Sequence, residues 1–492
     1  MAASRKVIVT GSGFAGLSAA SFMAREGWEV IVFEKNNTPG GRAAQWIKDG
    51  FVFDKGPSFY WMPDVFERYF AQFNRQVGDY YKLYRLDPSY RVYWNDTHTD
   101  IPAQLDQIKE LFESWEPGSA ASLDRYLKGA AYKYDVGINR LVYKPGRSLT
   151  EFMDWPTISG AFRLDVFTSI RRHIARYFKH PRIRQLMEFP VLFLGALPQD
   201  TPALYSLMNY ADIKGGTWHP EGGMYSVVNA MVQLAEELGV KFRYAEEVKE
   251  INVVNGRATG VTTDKGSYQA DAVISGADYH FTETNLLQSQ YRSYSEKYWD
   301  SRVMAPSCLL YYVGVNKRLN RLRHHNLFFD VPFEPHGHAI YKDPKWPSSP
   351  LFYVSVPSLT DRTMAPDGGE TLVFLVPVAS GLQGDTTELR KEYFDHIATR
   401  LEEQSGETFR DAIACWQSYS VSDFVKDYHS FKGNAYGLAN TLRQTAILRP
   451  SCQSKKVKNL FYTGQLTVPG PGVPPSLISG EVVAKELVKL IH

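Results

Sequence analysis

Gly11, Gly13 and Gly16 follow a short apolar run at 7–10, and an acidic residue, Glu34, closes the next apolar run at 29–33. These residue types at this spacing suit a dinucleotide. The first glycine permits a tight turn out of a strand, the second lets backbone amides approach a pyrophosphate, and the third lets a helix pack close to the strand. Glu34 is placed to bind a ribose hydroxyl pair. Strand (7–10), helix (17–25), strand (29–33) and acid come in the order that a nucleotide grip requires, a context that a bare Gly-x-Gly-x-x-Gly lacks. A purely structural glycine turn is the plain alternative.

Elsewhere, chemistry-bearing residues are sparse. The chain has 12 histidines and 3 cysteines, yet no Ser-His-Asp set, nucleophile elbow or metal-ligand spacing emerges, so neither a hydrolytic triad nor a metal site is expected. His324 with His325, and His336 with His338, are short-range pairs in a polar loop setting and read as surface residues. Cys308, Cys415 and Cys452 lie far apart and outside any Cys-x-x-Cys spacing, which fits a reducing cytoplasm. Lys plus Arg number 55 against 53 Asp plus Glu, a net charge of +2, which argues against nucleic acid as a partner.

The elements that must position the glycine site come from three places. At 492 residues the chain exceeds one compact core. Nucleotide-type pieces recur at 1–72, 218–285 and 440–492, read as one discontinuous Rossmann-like α/β domain. The stretches 73–217 and 286–439, rich in Tyr, Phe, Leu and Trp, read as one inserted α+β substrate domain. The middle piece offers an amphipathic helix ending near 238, a hairpin around Asn255 and Gly256, and a strand at 270–275 running into Gly276 and Ala277. The last piece is a strand at 458–463 ending at Gly464, a Pro/Gly-rich turn, and a helix over 476–490 with Ser476 as its N-cap. Three glycine-bearing segments would surround a long bent cofactor such as FAD, whereas a nicotinamide dinucleotide needs mainly the first. The last helix would aim its N-terminal dipole at the flavin pyrimidine or the pyrophosphate. No run reaches about 18 apolar residues, and the stretch before the first strand does not read as a signal peptide. Aromatic residues make up 14% of the chain, enough to line a large apolar cavity.

With these pieces assembled, the chain resembles the FAD-dependent carotenoid desaturases of the bacterial phytoene desaturase type, within the amine oxidase-like, GR2-type flavoproteins. The resemblance rests on Gly11, Gly13 and Gly16 with Glu34; on Pro39, Gly40, Gly41 and Arg42; on Phe53, Asp54, Gly56 and Pro57; on His219, Pro220, Gly222, Gly223 and Met224; and on Gly464 followed by 469–474. It implies a flavin ring between the Gly40–Gly41–Arg42 loop and the C-terminal turn, touched by Arg42, Pro57, Gly464, Val473 and Pro474. Further cofactor contacts implied are Phe14, Ala15, Lys35, Gly56, Ser58 and Gly472, with Val248 holding the adenine through its backbone. One departure stands out: the family's usual last turn is Gly-Ala-Gly-Thr-His-Pro-Gly, where this chain has Gly464, Gln465, Leu466, Thr467, Val468, Pro469 and Gly470.

The resemblance implies that the chain introduces double bonds into phytoene, giving lycopene or a related product. The alternatives are a 3,4-desaturase of a later, hydroxylated or monocyclic carotenoid, a carotene isomerase, and, in another class, a non-catalytic prenyl-lipid chaperone like the GDP dissociation inhibitors. A hydrocarbon offers no polar handle, so the chemistry expected is hydride loss to the flavin, a delocalised cation, and removal of the neighbouring proton. Asp154, Arg147 and Glu188 are the candidate acid/base residues, each reading more readily as a structural ion or cap. In the segment 162–179, Phe167, Ile170, Ile174, Tyr177 and Phe178 share one helical face decorated by Arg163, Arg171, Arg172, Arg176 and Lys179. The region at about 160–185 therefore reads as a membrane-surface helix, or as an ordinary helix burying its stripe. The expected setting is monotopic, on the inner face of the cell membrane, with a C40 carotenoid substrate, oxygen or a quinone as electron acceptor, and oligomerisation left open.

Overall fold

Val7, Ile8 and Val9, with Val30, Ile31 and Val32, are buried whichever way they point, the pattern of parallel strands covered on both faces. The computed structural model describes residues 5–148, 151, 165 and 168–491. In it these runs form the strands Lys6–Thr10 and Glu29–Phe33 at the centre of a five-stranded parallel sheet. Its order is Leu460–Tyr462, Ala272–Ser275, Lys6–Thr10, Glu29–Phe33, Lys241–Arg243. One face is covered by the helices Phe14–Arg25, Met224–Glu237 and Val473–Ile491. The other carries a three-stranded antiparallel sheet, Val248–Val254, Arg257–Thr263 and Ser267–Gln269. Asn255 and Gly256, both at positive φ, make the tight turn of its hairpin.

A second, seven-stranded sheet runs Ile413–Tyr419, Ser307–Val315, Glu370–Val378, Phe352–Ser355, His325–Phe328, Tyr90–Tyr93, His98–Ile101. Its neighbours are antiparallel except His325–Phe328 and Tyr90–Tyr93, which run parallel. Strands from 73–217 and from 286–439 thus share one sheet. Alternation along Ser307–Val315 divides its two faces: Leu309, Tyr311 and Val313 pack against Phe394, Ile397 and Leu401 of the helix Thr387–Ser405. Leu310 and Tyr312 face inward, toward Phe51 and Phe53 and the helices Ser119–Asn139 and Pro181–Glu188.

Two elements differ from the sequence reading. The C-terminal helix begins at Val473, not Ser476, whose hydroxyl instead bonds back to the Gly472 carbonyl at 2.8 Å. Pro474 and Pro475 occupy the first turn, where a missing N–H costs nothing because that position has no intrahelical acceptor. The basic segment is not one long helix: Ser169 caps a six-residue helix, Ile170–Ala175, and Pro181 opens a separate one. Ile170, Ile174 and Phe178 are at 0% exposure inside the core and Tyr177 is half-buried, so the first three residues of this apolar stripe are consumed by the protein itself and cannot insert into lipid. Phe167 and Arg163 lie outside the described residues. Among the described residues, no helix is long and apolar enough to cross a membrane.

The helices Phe14–Arg25 and Val473–Ile491 are pressed together at Gly480, where an added Cβ would lie 2.5 Å from the Ala15 carbonyl oxygen and 2.6 Å from the Ala19 nitrogen. Gly480→Ala is expected to destabilise the fold by roughly 1–3 kcal/mol through overpacking, read as an earlier midpoint in denaturant unfolding. An unchanged midpoint would rule out this helix contact.

Candidate active site

Three glycine-bearing segments meet at the start of the helix Phe14–Arg25. Gly11, at φ +88°, turns the chain out of its strand and donates its N–H to the Phe33 carbonyl at 2.7 Å. A Cβ on Gly16 would overlap the Gly11 carbonyl oxygen. Gly13 differs: a Cβ there would meet nothing within 4 Å. The helix it opens has no side-chain cap and no acid in its first turn, leaving a positive N-terminus facing open space. A Cβ on Gly41 would sit 3.4 Å from the Gly13 Cα, and one on Gly464 would sit 3.8 Å from the Ala15 Cβ. Phe14, Ala15, Gly40, Gly41 and Gly464 are therefore gathered around one concavity lined by backbone. That cradle fits a dinucleotide cofactor.

Glu34 lies at the sheet end of this cradle and is almost fully buried. One carboxylate oxygen accepts from the backbone N–H and the hydroxyl of Ser12, both at 2.9 Å, and the other from the Asn36 N–H at 2.9 Å. A carboxylate has about four acceptor positions, so room remains for a ribose hydroxyl while the same group pins the glycine loop. Glu246 donates its N–H to the Glu34 carbonyl, which brings the strand beginning at Val248 beside this end. Lys35 turns away, its ammonium donating to the Lys426 carbonyl at 3.0 Å.

Arg42 follows Gly41 in the same short turn. It donates to the Ser430 hydroxyl at 2.9 Å and lies over the Tyr428 ring, while its Nε is buried with no hydrogen-bond partner. Burial pushes its pKa down, and the nearby Asp278 charge opposes the fall. Such an enclosed, incompletely satisfied cation suits an electron-rich ligand group. Gly56 packs on the Arg42 carbonyl, where a Cβ would not fit, and Pro57 and Ser58 follow it in the chain. Asp54 accepts from the N–H groups of Met224 at 2.6 Å and Tyr225 at 3.1 Å, capping the helix Met224–Glu237. The two motifs around Asp54 and Gly223 are thus halves of one contact; burial raises the Asp54 pKa to about 6.

The atypical last turn is also tied to the residues around Arg42. Gln465 donates to the Asn434 side-chain oxygen at 2.9 Å, and the Asn434 carbonyl in turn accepts from Ser430 at 2.6 Å. Arg449 holds the turn from the other side through the carbonyls of Gln465, Thr467 and Leu438, and burial lowers its pKa to about 10. Gly472 leads directly into Val473 and Pro474 at the helix start.

A cleft of about 740 Å³ opens between the helices Ile170–Ala175 and Pro181–Glu188 and the segment 329–334, which runs into the helix Phe333–Tyr341. Its rim is charged, but Phe189 and Phe329 in its wall start a series of ring contacts leading inward. Phe189 lies 6.0 Å from Phe329 and 6.4 Å from Phe59, and Phe59 stacks on His325 at 4.0 Å. Phe59 is three residues on from Gly56, so the aromatic series leads from the cleft toward the segment that packs on Arg42. His324 and His325 are not surface residues: they are 6% and 0% exposed, because their strand is sandwiched in the seven-stranded sheet. His336 is likewise buried. Among the described residues no group of His, Cys, Asp and Glu could hold a metal ion.

The acid/base candidates scatter. Arg147 is fixed at the surface by Glu486 at 2.8 Å and Gln453 at 2.5 Å, a strut between loop and C-terminal helix. Glu188 forms a two-pronged pair with Arg171 at 3.1 Å in the cleft wall. Asp154 lies outside the described residues. Sequence reasoning misses His325 and Tyr353. The adjacent histidines are the available signal, but only the sheet reveals their burial.

The profile of the flavin containing amine oxidoreductase family matches residues 14–488. The chain is 40% identical over 485 residues to a carotenoid 3,4-desaturase of Haloarcula japonica, covering 98% of each. It is 32% identical over 495 residues to a zeta-carotene-forming phytoene desaturase of Myxococcus xanthus, covering 99% of this chain and 95% of that one. A solved oxidoreductase from Methanosarcina mazei superposes with a TM-score of 0.64 at 16% identity, over 98% of this chain and all of the other, a likeness of fold.

Because Gly13 faces open space while Gly16 faces backbone, the two should respond differently to a side chain. Gly13→Val is expected to leave the unfolding midpoint nearly unchanged but lower the flavin-to-protein absorbance ratio at least tenfold, whereas Gly16→Val should cost the fold itself. Full flavin loading of Gly13→Val would refute the cradle.

Proposed function

The chain belongs to the flavin containing amine oxidoreductase family, and from that premise we propose that it desaturates a later carotenoid at the 3,4 position, with phytoene as the alternative substrate. It is an FAD-dependent oxidoreductase that forms carbon–carbon double bonds in a carotenoid. The observation that carries the reading is the aromatic series from the cleft toward the cradle, which offers a long hydrocarbon apolar contact and few polar groups to satisfy. Identity of 40% with a 3,4-desaturase, against 32% with a phytoene desaturase, favours the later substrate.

FAD, when bound, accepts the hydride lost by the substrate. The chain's own part is to hold and to exclude. Gly13, Phe14, Ala15 and Gly41 would hold the pyrophosphate against the helix N-terminus, Glu34 the ribose, and the backbone at Val248 the adenine. Arg42, with Gly56, Pro57 and Ser58 and with Gly464, Gly472, Val473 and Pro474, would flank the ring. The rings of Phe329, Phe189 and Phe59 keep water from the reacting carbons, so a cation formed there meets aromatic faces rather than a nucleophile. Oxygen or a membrane quinone would reoxidise the cofactor.

We further propose that the cleft mouth rests on a lipid surface. Arg172, Arg176 and Lys179 are exposed beside it, and with Ile170, Ile174 and Phe178 turned inward, the attraction would be electrostatic rather than by insertion.

The test of substrate is the visible spectrum of holoprotein incubated with vesicles carrying either phytoene or a monocyclic or hydroxylated later carotenoid, without NAD(P). New long-wavelength bands are expected from the later carotenoid only; bands from phytoene alone would assign phytoene, and a flat spectrum for both with flavin bound would reject the carotenoid reading. Reversing Arg172, Arg176 and Lys179 to Glu should weaken co-sedimentation with anionic vesicles at least tenfold, at about 1 kcal/mol per basic residue removed from the surface. Unaltered co-sedimentation would discard this face as the lipid contact.

A further inference from the structure

His325 has one ring nitrogen engaged and the other free in a ring-lined interior. Its Nδ1 lies 2.6 Å from the Tyr353 hydroxyl. With Tyr353 taken as donor to the Ser58 hydroxyl at 3.0 Å, the His325–Tyr353 contact is filled by an Nδ1–H, the tautomer that leaves Nε2 with the lone pair. That Nε2 is buried and has no hydrogen-bond partner. An unpartnered buried acceptor costs stability and calls for a reason.

We propose that His325 Nε2 is the base that removes the substrate's proton. The inference rests on the desaturase reading above. In the step, one substrate carbon loses hydrogen with its electron pair to the oxidised flavin, leaving a cation delocalised along the polyene. The C–H bond on the adjacent carbon then breaks, its electron pair becomes the new π bond, and its proton bonds to Nε2, giving an imidazolium. The Nδ1 proton of that imidazolium is already directed at the Tyr353 oxygen, and Tyr353 at Ser58, next to Pro57 at the cradle. The chain of hydrogen bonds thus gives the added charge somewhere to spread.

Position supports the role. Phe59, the ring stacked face to face on the imidazole with planes 16° apart, is in contact with Phe189 of the cleft wall. Among the described rings against His325, namely Phe59, His324 and Tyr353, Phe59 alone is partly exposed. Nε2 has no solvent contact in this structure, so substrate reaches it by displacing a ring, and Phe59 is the one placed to move.

The groups facing His325 keep it neutral. His324 lies at 4.4 Å between ring centroids, His219 lies 4.7 Å from His324, and Asp361 is 3.3 Å from His219 Nε2. Burial, with the His219 charge adding to it, holds the His325 pKa well below the ordinary imidazole range. Such a weak base suffices here because the carbon next to a carbocation is a very strong acid. It also ensures that the lone pair is present at every working pH.

Two measurements test this. Long-range proton–nitrogen NMR of the nitrogen-15-histidine-labelled holoprotein should show His325 as the Nδ1–H form with Nε2 unprotonated from pH 5 to 8; an Nε2–H signal would overturn the proposal. His325→Gln retains a donor toward Tyr353 but has no basic nitrogen. It should keep flavin stoichiometry and carotenoid binding while losing about 100-fold or more in product formation per turnover, the ordinary span of a lost general base. A loss of threefold or less with flavin fully bound would overturn it. Should the variant fail to fold, the wild-type tautomer decides. Should the wild type itself desaturate no carotenoid, the functional reading falls, and with it the base, whatever the tautomer.

Discussion

The structure depends on backbone meeting backbone at the start of the helix Phe14–Arg25. Gly16 lies against Gly11 and Gly480 against Ala15, so the strand, the first helix and the last helix come closer than side chains would allow. That closeness leaves the helix start bare at Gly13, with no side chain competing for its N–H groups. The free end of a helix carries about half a positive charge. Everything that encircles the cradle is then hung on this point: Gly41 rests on Gly13, Gly464 on Ala15, and Glu34 bonds back to Ser12 between them.

This is also why so much of the cradle is legible in the amino-acid sequence. A glycine demanded by a steric contact has no substitute, so its spacing stands out as a motif. The strands around it, Val7 to Val9 and Val30 to Val32, are equally plain because burial on both faces requires unbroken apolar runs. Asn255 with Gly256 signals its turn through positive φ at both residues. Less is legible where the deciding partner is distant in sequence. His325 looks polar and loop-like until Tyr90–Tyr93 and Phe352–Ser355 close around it on either side. The stripe of Ile170, Ile174 and Phe178 shows that something apolar covers it but not whether that is lipid or protein; the core supplies the answer. Ser476 looks like a cap because prolines usually end helices, whereas Pro474 and Pro475 here sit where a helix tolerates them, in its first turn.

The two ends of the interior differ in electrostatic character. Around the cradle, the polar groups are linked: Arg42 to Ser430, Ser430 to Asn434, Asn434 to Gln465. Gln465 belongs to the turn that departs from the resembling family, and its amide takes a place in the network that positions Arg42. Along the aromatic series, by contrast, burial drives ionisable groups neutral. His324 and His325 fall well below their ordinary pKa, and the Tyr353 phenol rises above its own. A hydrocarbon entering that space loses no hydration and strands no charge. Arg42 keeps its charge beside the cradle, with Asp278 as its counter-charge, which suits a redox group that gains negative charge on reduction.

Such an interior binds well but positions poorly. Apolar contact is non-directional, at about 25 cal/mol per Å² buried, and sliding a polyene by one carbon exchanges one set of ring contacts for another of similar worth. The aromatic walls therefore cannot choose which bond is desaturated. The choice must come from where the chain stops. At the cleft the Arg171–Glu188 pair and its charged neighbours form a polar rim, which a hydrocarbon end avoids and a hydroxylated one tolerates. At the inner end, on the desaturase reading, the depth of space beside the flavin would set how much of the molecule can pass it. A 3,4-desaturase needs only a short pocket there, because its bond lies near the end of the substrate; a desaturase acting on the middle of phytoene needs a long one. On that reading specificity would be a matter of depth past the cradle, and the Gly464–Gly470 turn, held by Arg449 and Gln465, adjoins Ala15 at the cradle's edge.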